Sequence, residues 1–303
     1  MAISRSQLVK ELEPGLNALF GLEYKRYENQ HAEIYTTESS DRAFEEEVML
    51  SGFANAQVKG EGSGVSFDEA QETFTARYTH ETVALAFAIT EEAIEDNLYD
   101  RLASRYTKAL ARSMSNAKQV KSVEPLINGL PTTDAFDSGD GVSLFNTAHP
   151  TVSGTFANTL ATQADLNETS LEQSLIDIAA MTDERGLRIA ARGVKMIIPS
   201  ELQFTAERLM KSQGRVGTAD NDINAIVSMG MVPQGYRVNN YLTDTDAFYI
   251  LTDVPNGMKM FNRAPLTTAM EGDFDTGNVR YKARERYSFG VSDPRGIFGV
   301  EGA

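Results

Sequence analysis

Histidine is the first residue type to examine for chemistry, because an imidazole can serve as a general base or a metal ligand near neutral pH. The chain contains three, His31, His80 and His149. Their spacing matches no metal-binding His-Glu-x-x-His helix, and no Gly-x-Ser-x-Gly nucleophile motif accompanies them. A serine triad can still be assembled in space from distant segments. A soluble acidic enzyme therefore stays open as an alternative, although the sequence assigns no catalytic residue.

Two glycine-containing segments could in principle hold a phosphate or a cation. The first, Lys59-Gly60-Glu61-Gly62-Ser63-Gly64, lacks the Gly-Lys-Ser/Thr that completes a P-loop. The second is the acidic loop within residues 128–166, which lacks the spacing of an EF-hand. We therefore predict no cofactor and no metal ion. Glycines 60, 62 and 64 instead indicate the mobile tip of a hairpin, whose arms are the alternating stretches within residues 48–88.

Composition narrows the class of protein further. The chain has 303 residues, of which 41% are hydrophobic, and its 43 acidic residues against 28 basic ones give a net charge of −15. Such a surplus repels nucleic acid on average and argues against a dedicated DNA-binding protein. The absence of cysteine excludes disulfides and thiolate chemistry. Without a long apolar run or a signal-peptide pattern at the start, we expect neither membrane insertion nor export.

Two long elements must position everything else. A helix is predicted from Thr90, with acids in its first turns and bases afterwards, and it extends for about thirty residues or more. A strand is predicted over Val279–Val291, because apolar and polar side chains alternate there with only Glu285 interrupting the apolar row. The polar face of this strand carries four cations, Arg280, Lys282, Arg284 and Arg286.

The remaining segments indicate an α+β protein. Residues 1–47 resemble an extended arm with one short helical signal. After Thr169 the pattern alternates between helix and strand, with a buried strand over Gly193–Ile198, a short helix over Glu201–Lys211 and a short strand over Phe248–Leu251. Strands and helices of this size, together with a long rod-like strand, are typical of a flat building block.

The order of these parts resembles the major capsid proteins of tailed bacteriophages, which have the HK97-like fold, and more narrowly the Mu-like major head subunits. The motifs that carry the resemblance are Gly21-Leu-Glu-Tyr24, Tyr78-Thr-His80, Ala88-Ile-Thr-Glu-Glu-Ala-Ile-Glu-Asp96, Asp140-Gly-Val-Ser-Leu-Phe-Asn-Thr-Ala-His-Pro150, Ile197-Ile-Pro-Ser200 and Ser292-Asp-Pro-Arg-Gly-Ile-Phe298. The match extends over nearly the whole chain.

The resemblance implies a domain organisation. Residues 1–47 would be the N-terminal arm, 48–88 the extended E-loop, 89–168 the peripheral domain with its spine helix and an inserted loop, and 169–254 the axial α/β domain. Residues 255–303 would return to the peripheral domain and end in the axial domain. The residues expected at contacts between subunits are the loop tip, Lys59, Gly60, Glu61, Gly62, Ser63 and Gly64, and the strand cations Arg280, Lys282, Arg284 and Arg286.

The resemblance also implies a function. Such proteins are not enzymes; they assemble from pentamers and hexamers into an icosahedral shell that encloses double-stranded DNA in the virion. Scaffold, portal and decoration proteins are expected partners, assembly takes place in the host cytoplasm, and DNA is enclosed without sequence-specific binding. Some relatives cross-link neighbours through an E-loop lysine, but we interpret Lys59 as a polar tip residue. An encapsulin-like compartment shell and another virion part remain alternatives to be distinguished by experiment.

Overall fold

The computed structural model describes residues 5–90, 92–93, 99–133, 135–214, 222–273 and 277–303. The α-helices are α1 Arg5–Arg26, α2 Tyr99–Asn128, α3 Glu168–Ala180, α4 Gln203–Lys211 and α5 Ala225–Ser228. The strands are β1 Thr36–Ser39, β2 Phe44–Leu50, β3 Glu72–Thr79, β4 Glu81–Ile89, β5 His149–Thr151, β6 Gly154–Phe156, β7 Gly193–Ile198, β8 Tyr236–Val238, β9 Phe248–Thr252, β10 Met258–Gly272, β11 Val279–Val291 and β12 Ile297–Val300.

One long sheet organises the first layer, with the strand order β1-β10-β11-β4. Its central strand β11 has 13 residues, which at roughly 3.3 Å per residue corresponds to about 43 Å. The predicted bounds, Val279–Val291, are confirmed. Tyr281, Ala283 and Tyr287 are buried on the side that faces α1 and α2, while Arg280, Lys282 and Arg284 are exposed on the other.

The neighbouring strand β10 has 15 residues, and the sequence patterns did not predict it. It pairs antiparallel with β11, and the register shifts between Asn262 and Ala264 and again between Ala264 and Thr267. Pro265 lies inside the second shift. Proline has no amide hydrogen to donate to the neighbouring strand, and at this irregular position the sheet loses no hydrogen bond because of it. The irregularities break the period of two residues, so the apolar alternation that identified β11 is absent here.

The long helix α2 packs against β4 and β11 and beside α1. In the sequence, one apolar residue recurs every four positions and predicts a buried stripe along this helix: Ile94, Leu98, Leu102, Tyr106, Leu110 and Met114. Leu110 and Met114 are buried, whereas Tyr106 is half exposed. The predicted start at Thr90 is consistent with a hydrogen bond from the Ala93 amide to Thr90 Oγ1 at 3.4 Å. The stripe residues Ile94 and Leu98 lie outside the described residues.

A second, smaller sheet has the order β12-β9-β7-β8 and packs with α3 and α4 around its own core. The predicted strands over Gly193–Ile198 and at Phe248 are confirmed, as is the buried face of α3 formed by Leu171, Leu175 and Ile178. A separate apolar cluster that includes Tyr249, Ile297 and Tyr287 lies where the two sheets meet. Each layer therefore buries its own apolar side chains, and the C-terminal strand β12 ties them together.

Candidate inter-subunit surfaces

The antiparallel pair β2 and β3 forms a hairpin that leaves the body of the molecule. Its register runs from Phe44 opposite Thr79 to Leu50 opposite Glu72, and the following strand β4 pairs with β11 in the long sheet. Residues 52–71 contain no helix or strand. Of the segment 48–88 that sequence assigned to one hairpin, only the part up to Thr79 belongs to this pair.

The predicted tip of the hairpin is fully on the surface. All six residues from Lys59 to Gly64 are exposed, and the chain turns there through a hydrogen bond from the Ser63 amide to the Gly60 carbonyl at 3.1 Å. Gly62 has a φ of +76°, which an L-residue adopts only with strain. The glycine at this position therefore permits the turn that the sequence pattern indicated.

Large apolar side chains surround this tip without any cover in the chain itself. Val58 is 100% exposed and Phe67 is 97% exposed, and Leu50, Phe53 and Val65 are also exposed. Burying one such side chain contributes roughly 1.5–3 kcal/mol, and a contiguous apolar patch on a surface marks an interaction site. Sequence reasoning did not single these residues out, although valines and phenylalanines within a polar, glycine-rich loop were the available signal.

Buried polar contacts hold the base of the hairpin on the long sheet. Lys259 on β10 forms ion pairs with Glu47 at 2.6 Å and with Glu38 at 3.1 Å. Burial alone would lower the pKa of Lys259, but hydrogen bonds to the two carboxylates outweigh it and raise the pKa. Tyr78 Oη lies 2.5 Å from Ser292 Oγ. The hairpin therefore has a fixed base and an uncovered outer end.

His80 belongs to the same base, and its geometry differs from that of a catalytic triad. Its Nε2 lies 2.9 Å from Ser40 Oγ and its Nδ1 lies 2.9 Å from Ser288 Oγ. Ser40 donates its own proton to Glu45 at 2.7 Å, so it accepts from His80. Burial, followed by the charge of Arg286, lowers the pKa of His80. No carboxylate orients this ring toward a serine, as a triad would require.

His31 lies in a short 3-10 turn after α1 and packs edge-on against Phe289, with the ring centroids 6.0 Å apart. Its backbone amide donates to Gln119 on α2 at 3.0 Å. Burial, and then the nearby charge of Lys118, lowers the pKa of His31 to about 4. The backbone amide of His31 therefore anchors the arm to the long helix. The lowered pKa keeps its side chain neutral at neutral pH.

His149 is the most deeply buried of the three. Its Nδ1 lies 2.6 Å from Asp140 Oδ2 and its Nε2 lies 2.9 Å from Asn158 Oδ1. The Asn158 amide group donates to the carbonyls of Leu144 at 2.7 Å and Pro294 at 3.0 Å, which fixes its oxygen as the acceptor. Through Asn158, the ring links the loop within residues 128–166 to the C-terminal segment.

A buried ion pair lies beside this contact. Arg295 donates to Glu184 at 2.6 Å, and both side chains are buried. Its guanidinium lies over the ring of Phe156 at 4.2 Å, and the same ring stacks on His149 at 4.8 Å between centroids. The motif residues Asp140 and Arg295 are thus buried structural charges, each with a partner that offsets its desolvation, and His149 is a buried polar partner of Asp140.

The four strand cations lie on the sheet face opposite α2. Lys282 and Arg284 are exposed, and neither makes an ion pair within the part of the chain that the structure describes. Arg280 pairs with Asp273, and Arg286 donates to the Ala43 carbonyl at 3.5 Å. The side chains that flank this basic strip on β4 are small, Ala84, Ala86 and Ala88, so the surface is flat and cationic.

The structure does not bring the two predicted contact surfaces together within one chain. None of the hydrogen bonds or ion pairs among the described residues joins the tip, residues 59–64, to the basic strip of Arg280, Lys282, Arg284 and Arg286. The same described residues contain no cluster of three or more side chains suited to a metal ion. None of their helices combines the length and apolar character needed to cross a membrane.

Solved structures of shell proteins share this fold. The chain is similar to a virus-like particle from Pyrococcus furiosus, with a TM-score of 0.54, 11% identity and coverage of 95% of this chain and 98% of that one. The capsid of Myoviridae phage XM1 has a TM-score of 0.52 and 12% identity, with coverage of 89% of this chain and 89% of that one. The capsid of an empty GTA particle has a TM-score of 0.52 and 13% identity, with coverage of 90% of this chain and 89% of that one. The fold is therefore that of the HK97-like capsid proteins, as the sequence predicted.

A family model narrows the class further. The model of a phage capsid protein family matches residues 72–300, and the chain belongs to that family. The interpretation of the sequence as a major capsid protein, a structural subunit of a phage shell, is thereby confirmed. No curated protein sequence matches the chain.

Proposed function

We propose that this protein is the repeating subunit of an icosahedral shell that encloses the double-stranded DNA of a tailed phage or prophage, and that it has no enzymatic activity. The observation that carries the proposal is the hairpin with a fixed base and uncovered apolar residues such as Val58 and Phe67. A free subunit gains nothing from exposing them, whereas a neighbouring subunit that covers them gains their burial free energy.

The proposed contact places the hairpin of one copy across the next copy in the shell. Its exposed acids Glu61 and Glu69 complement the cations Lys282 and Arg284 on a neighbour's flat sheet face, whereas Asp68 already faces Arg185 of its own chain. Charge complementarity of this kind fixes the register of an interface, while the apolar residues supply most of its affinity. This assigns roles to both sets of residues that the sequence predicted, the tip of residues 59–64 and the strip on β11.

The domain boundaries follow from the same proposal. The arm is residues 1–47, the E-loop 48–88, the peripheral domain 89–168 and the axial domain 169–254, and residues 255–303 return through the long sheet. Pentamers and hexamers would form around the axial domains, where Phe204, Ile223 and Met229 are exposed. Scaffold, portal and decoration proteins are the proposed partners, in a virion assembled in the host cytoplasm.

The relationship to Mu-like head subunits is proposed on motifs alone, chiefly the segment Asp140–Pro150 and the segment Ser292–Phe298. The buried roles of Asp140, His149 and Arg295 support it, because these positions carry buried polar and charged groups that a related fold would need to keep together. A compartment shell that stores a cargo protein is the second candidate, favoured only by the fold it shares with the virus-like particle. The nucleic-acid content of purified particles separates the two.

Deleting residues 60–64 tests the proposal, since the tip contributes nothing to the core of its own subunit. We expect a folded subunit with an unchanged unfolding free energy that fails to form closed particles in negative-stain electron microscopy. Gln57→Asn, which keeps the length of the hairpin and alters none of the residues assigned to the contact, serves as the control and should assemble. Normal particles from the deletion variant would contradict the proposal.

A further inference from the structure

The solvent-facing side of α2 carries a row of exposed cations. Arg105, Lys108 and Arg112 are exposed and make no ion pair among the described residues. No aspartate or glutamate occurs between Asp100 and Glu124, although the whole chain has 43 acidic residues. A local excess of positive charge within such an acidic protein is a feature that ordinary solubility does not require.

The lysines nearer the sheet behave differently. Lys118 pairs with the buried Glu285 at 3.1 Å, and Lys121 pairs with Glu81. The cations of α2 that face the protein are therefore neutralised by acids supplied from β4 and β11. Those that face outward are left without such a partner.

The row has a regular geometry. Arg105, Lys108 and Arg112 are spaced by three and four residues, so they share one helix face and extend over about 10 Å of its axis. The residues beside them, Ala109 and Ser113, are small and exposed. The row is thus a ridge of long cationic side chains without a pocket beside it.

We infer that this row contacts the phosphate backbone of the enclosed duplex DNA, so that α2 lies on the inner side of the shell and the basic strip of β11 on the outer side. The inference rests on the proposed function. Duplex DNA carries one negative charge for about every 1.7 Å of its axis, and a ridge of lysine and arginine side chains binds phosphates without reading sequence. A docked protein would need an apolar centre, which this ridge does not offer.

The geometry also explains how an acidic wall can hold DNA in place. The net charge of −15 repels the polymer over most of the surface. Three cations repeated once per subunit provide regularly spaced weak contacts on one side only. The sheet lies between this side and Lys282 and Arg284, so the two basic surfaces serve different partners.

Reassembly with DNA tests the inference, using the full-length chain and two variants. The first variant combines Arg105→Gln, Lys108→Gln and Arg112→Gln, and the matched control combines Arg188→Gln and Arg192→Gln, which removes exposed cations that have no proposed role. Each protein is assembled with a short duplex DNA and treated with nuclease, and the protected DNA is counted per subunit over a range of salt concentrations. The triple variant should protect about fivefold less DNA. The slope of the logarithm of DNA binding against the logarithm of salt concentration should be less negative by about 3.

The outcomes separate this inference from the proposed function. Particles of the triple variant that protect as much DNA as the unaltered chain overturn the inference, as does an equal loss of DNA in the Arg188 and Arg192 control. A reduced yield of particles from the triple variant, with unchanged DNA protection in each particle that forms, also overturns it and assigns the row to a protein contact. Failure of the unaltered chain to form particles would instead contradict the proposed function.

Discussion

Lys118 on the long helix α2 and Glu285 on the strand β11 form an ion pair with an Nζ–Oε2 distance of 3.1 Å, at the interface between these two elements. Glu285 is 2% exposed and Lys118 is 13% exposed at the side chain. Tyr24 from the arm reaches the same carboxylate, with 3.5 Å between oxygens. Glu285 was the single residue that interrupted the apolar row of the strand, and this pair explains its presence there.

Removing one partner of this pair should destabilise the subunit. Lys118→Met leaves Glu285 buried without a counter-charge, and we expect a loss of about 3 kcal/mol in the free energy of unfolding measured with urea. Glu285→Leu should cost less, because the partly exposed Lys118 can reach solvent. The double variant Lys118→Met with Glu285→Leu should recover most of the loss. Additive effects in this cycle would show that the two residues do not interact.

The close approach of the hairpin base to β11 depends on Gly290. A Cβ at this position would lie 2.6 Å from the ring of Tyr78. Gly290→Ala should therefore cost about 1–3 kcal/mol of unfolding free energy and displace the hairpin. Gly272→Ala on the adjacent strand is the control, since nothing lies within 4 Å of its Cβ position. Equal stabilities for the two variants would remove this role for Gly290.

Acid should weaken the docking of the arm through His31. Its pKa falls from an ordinary 6.5 to about 4 in the folded chain, so the unfolded chain binds more protons between these values. The stabilising contribution is complete above pH 6.5 and is lost as the pH falls toward 4. Urea unfolding of His31→Gln should show a weaker dependence on pH over this window than the unaltered chain. Parallel pH profiles would contradict this assignment.

Asp140 should be the acid whose loss most affects the loop within residues 128–166. Burial would raise the pKa of Asp140, but hydrogen bonds from His149 and Ser138 lower it below its ordinary value. Its contribution is present at neutral pH and is lost as the pH falls through the lowered pKa of Asp140. Asp140 accepts through both carboxylate oxygens, Oδ2 from His149 and Oδ1 from Ser138 and the Val142 amide. Asp140→Asn keeps only one acceptor oxygen, so a buried donor loses its partner, and the variant should cost about 3 kcal/mol.

Hydrogen exchange provides the measurement for this variant. Amides around His149 should exchange faster in Asp140→Asn than in the unaltered protein. Asp137→Asn is the matched control, because its side-chain oxygen can still accept from the Gly139 and Gly141 amides as the carboxylate does. Unchanged exchange in Asp140→Asn would show that the contact between Asp140 and His149 is not needed to hold the loop.

The sequence predicted those elements in which the apolar residues recur with a single period, as they do in a regular strand or helix. The alternation in Val279–Val291 located that strand to the residue, because one face is buried against α2 and the other faces solvent. The strand Met258–Gly272 was missed, since Pro265 and two register shifts remove the same alternation. The helix from Thr90 was recognised from its charge order and its stripe, of which Leu110 and Met114 are buried as expected.

The candidate site was only partly accessible from sequence. The glycines within residues 59–64 predicted a turn, because a positive φ such as that of Gly62 is favoured by glycine itself, whatever the rest of the chain does. The exposure of Val58 and Phe67 depends on where the rest of the chain lies, which no local pattern contains. The partners of His149 and Arg295 were likewise invisible, since Asn158 and Glu184 reach them only through the folded topology.

The central claim is that the uncovered hairpin residues hold neighbouring subunits together. Its most direct test compares the unaltered chain with Val58→Ser/Phe67→Ser by light scattering and electron microscopy, together with the unfolding free energy of each. We predict closed particles from the unaltered chain, and a double variant of equal stability that remains as small species. Closed particles from the double variant, or only discrete monomers from the unaltered chain, would contradict the account.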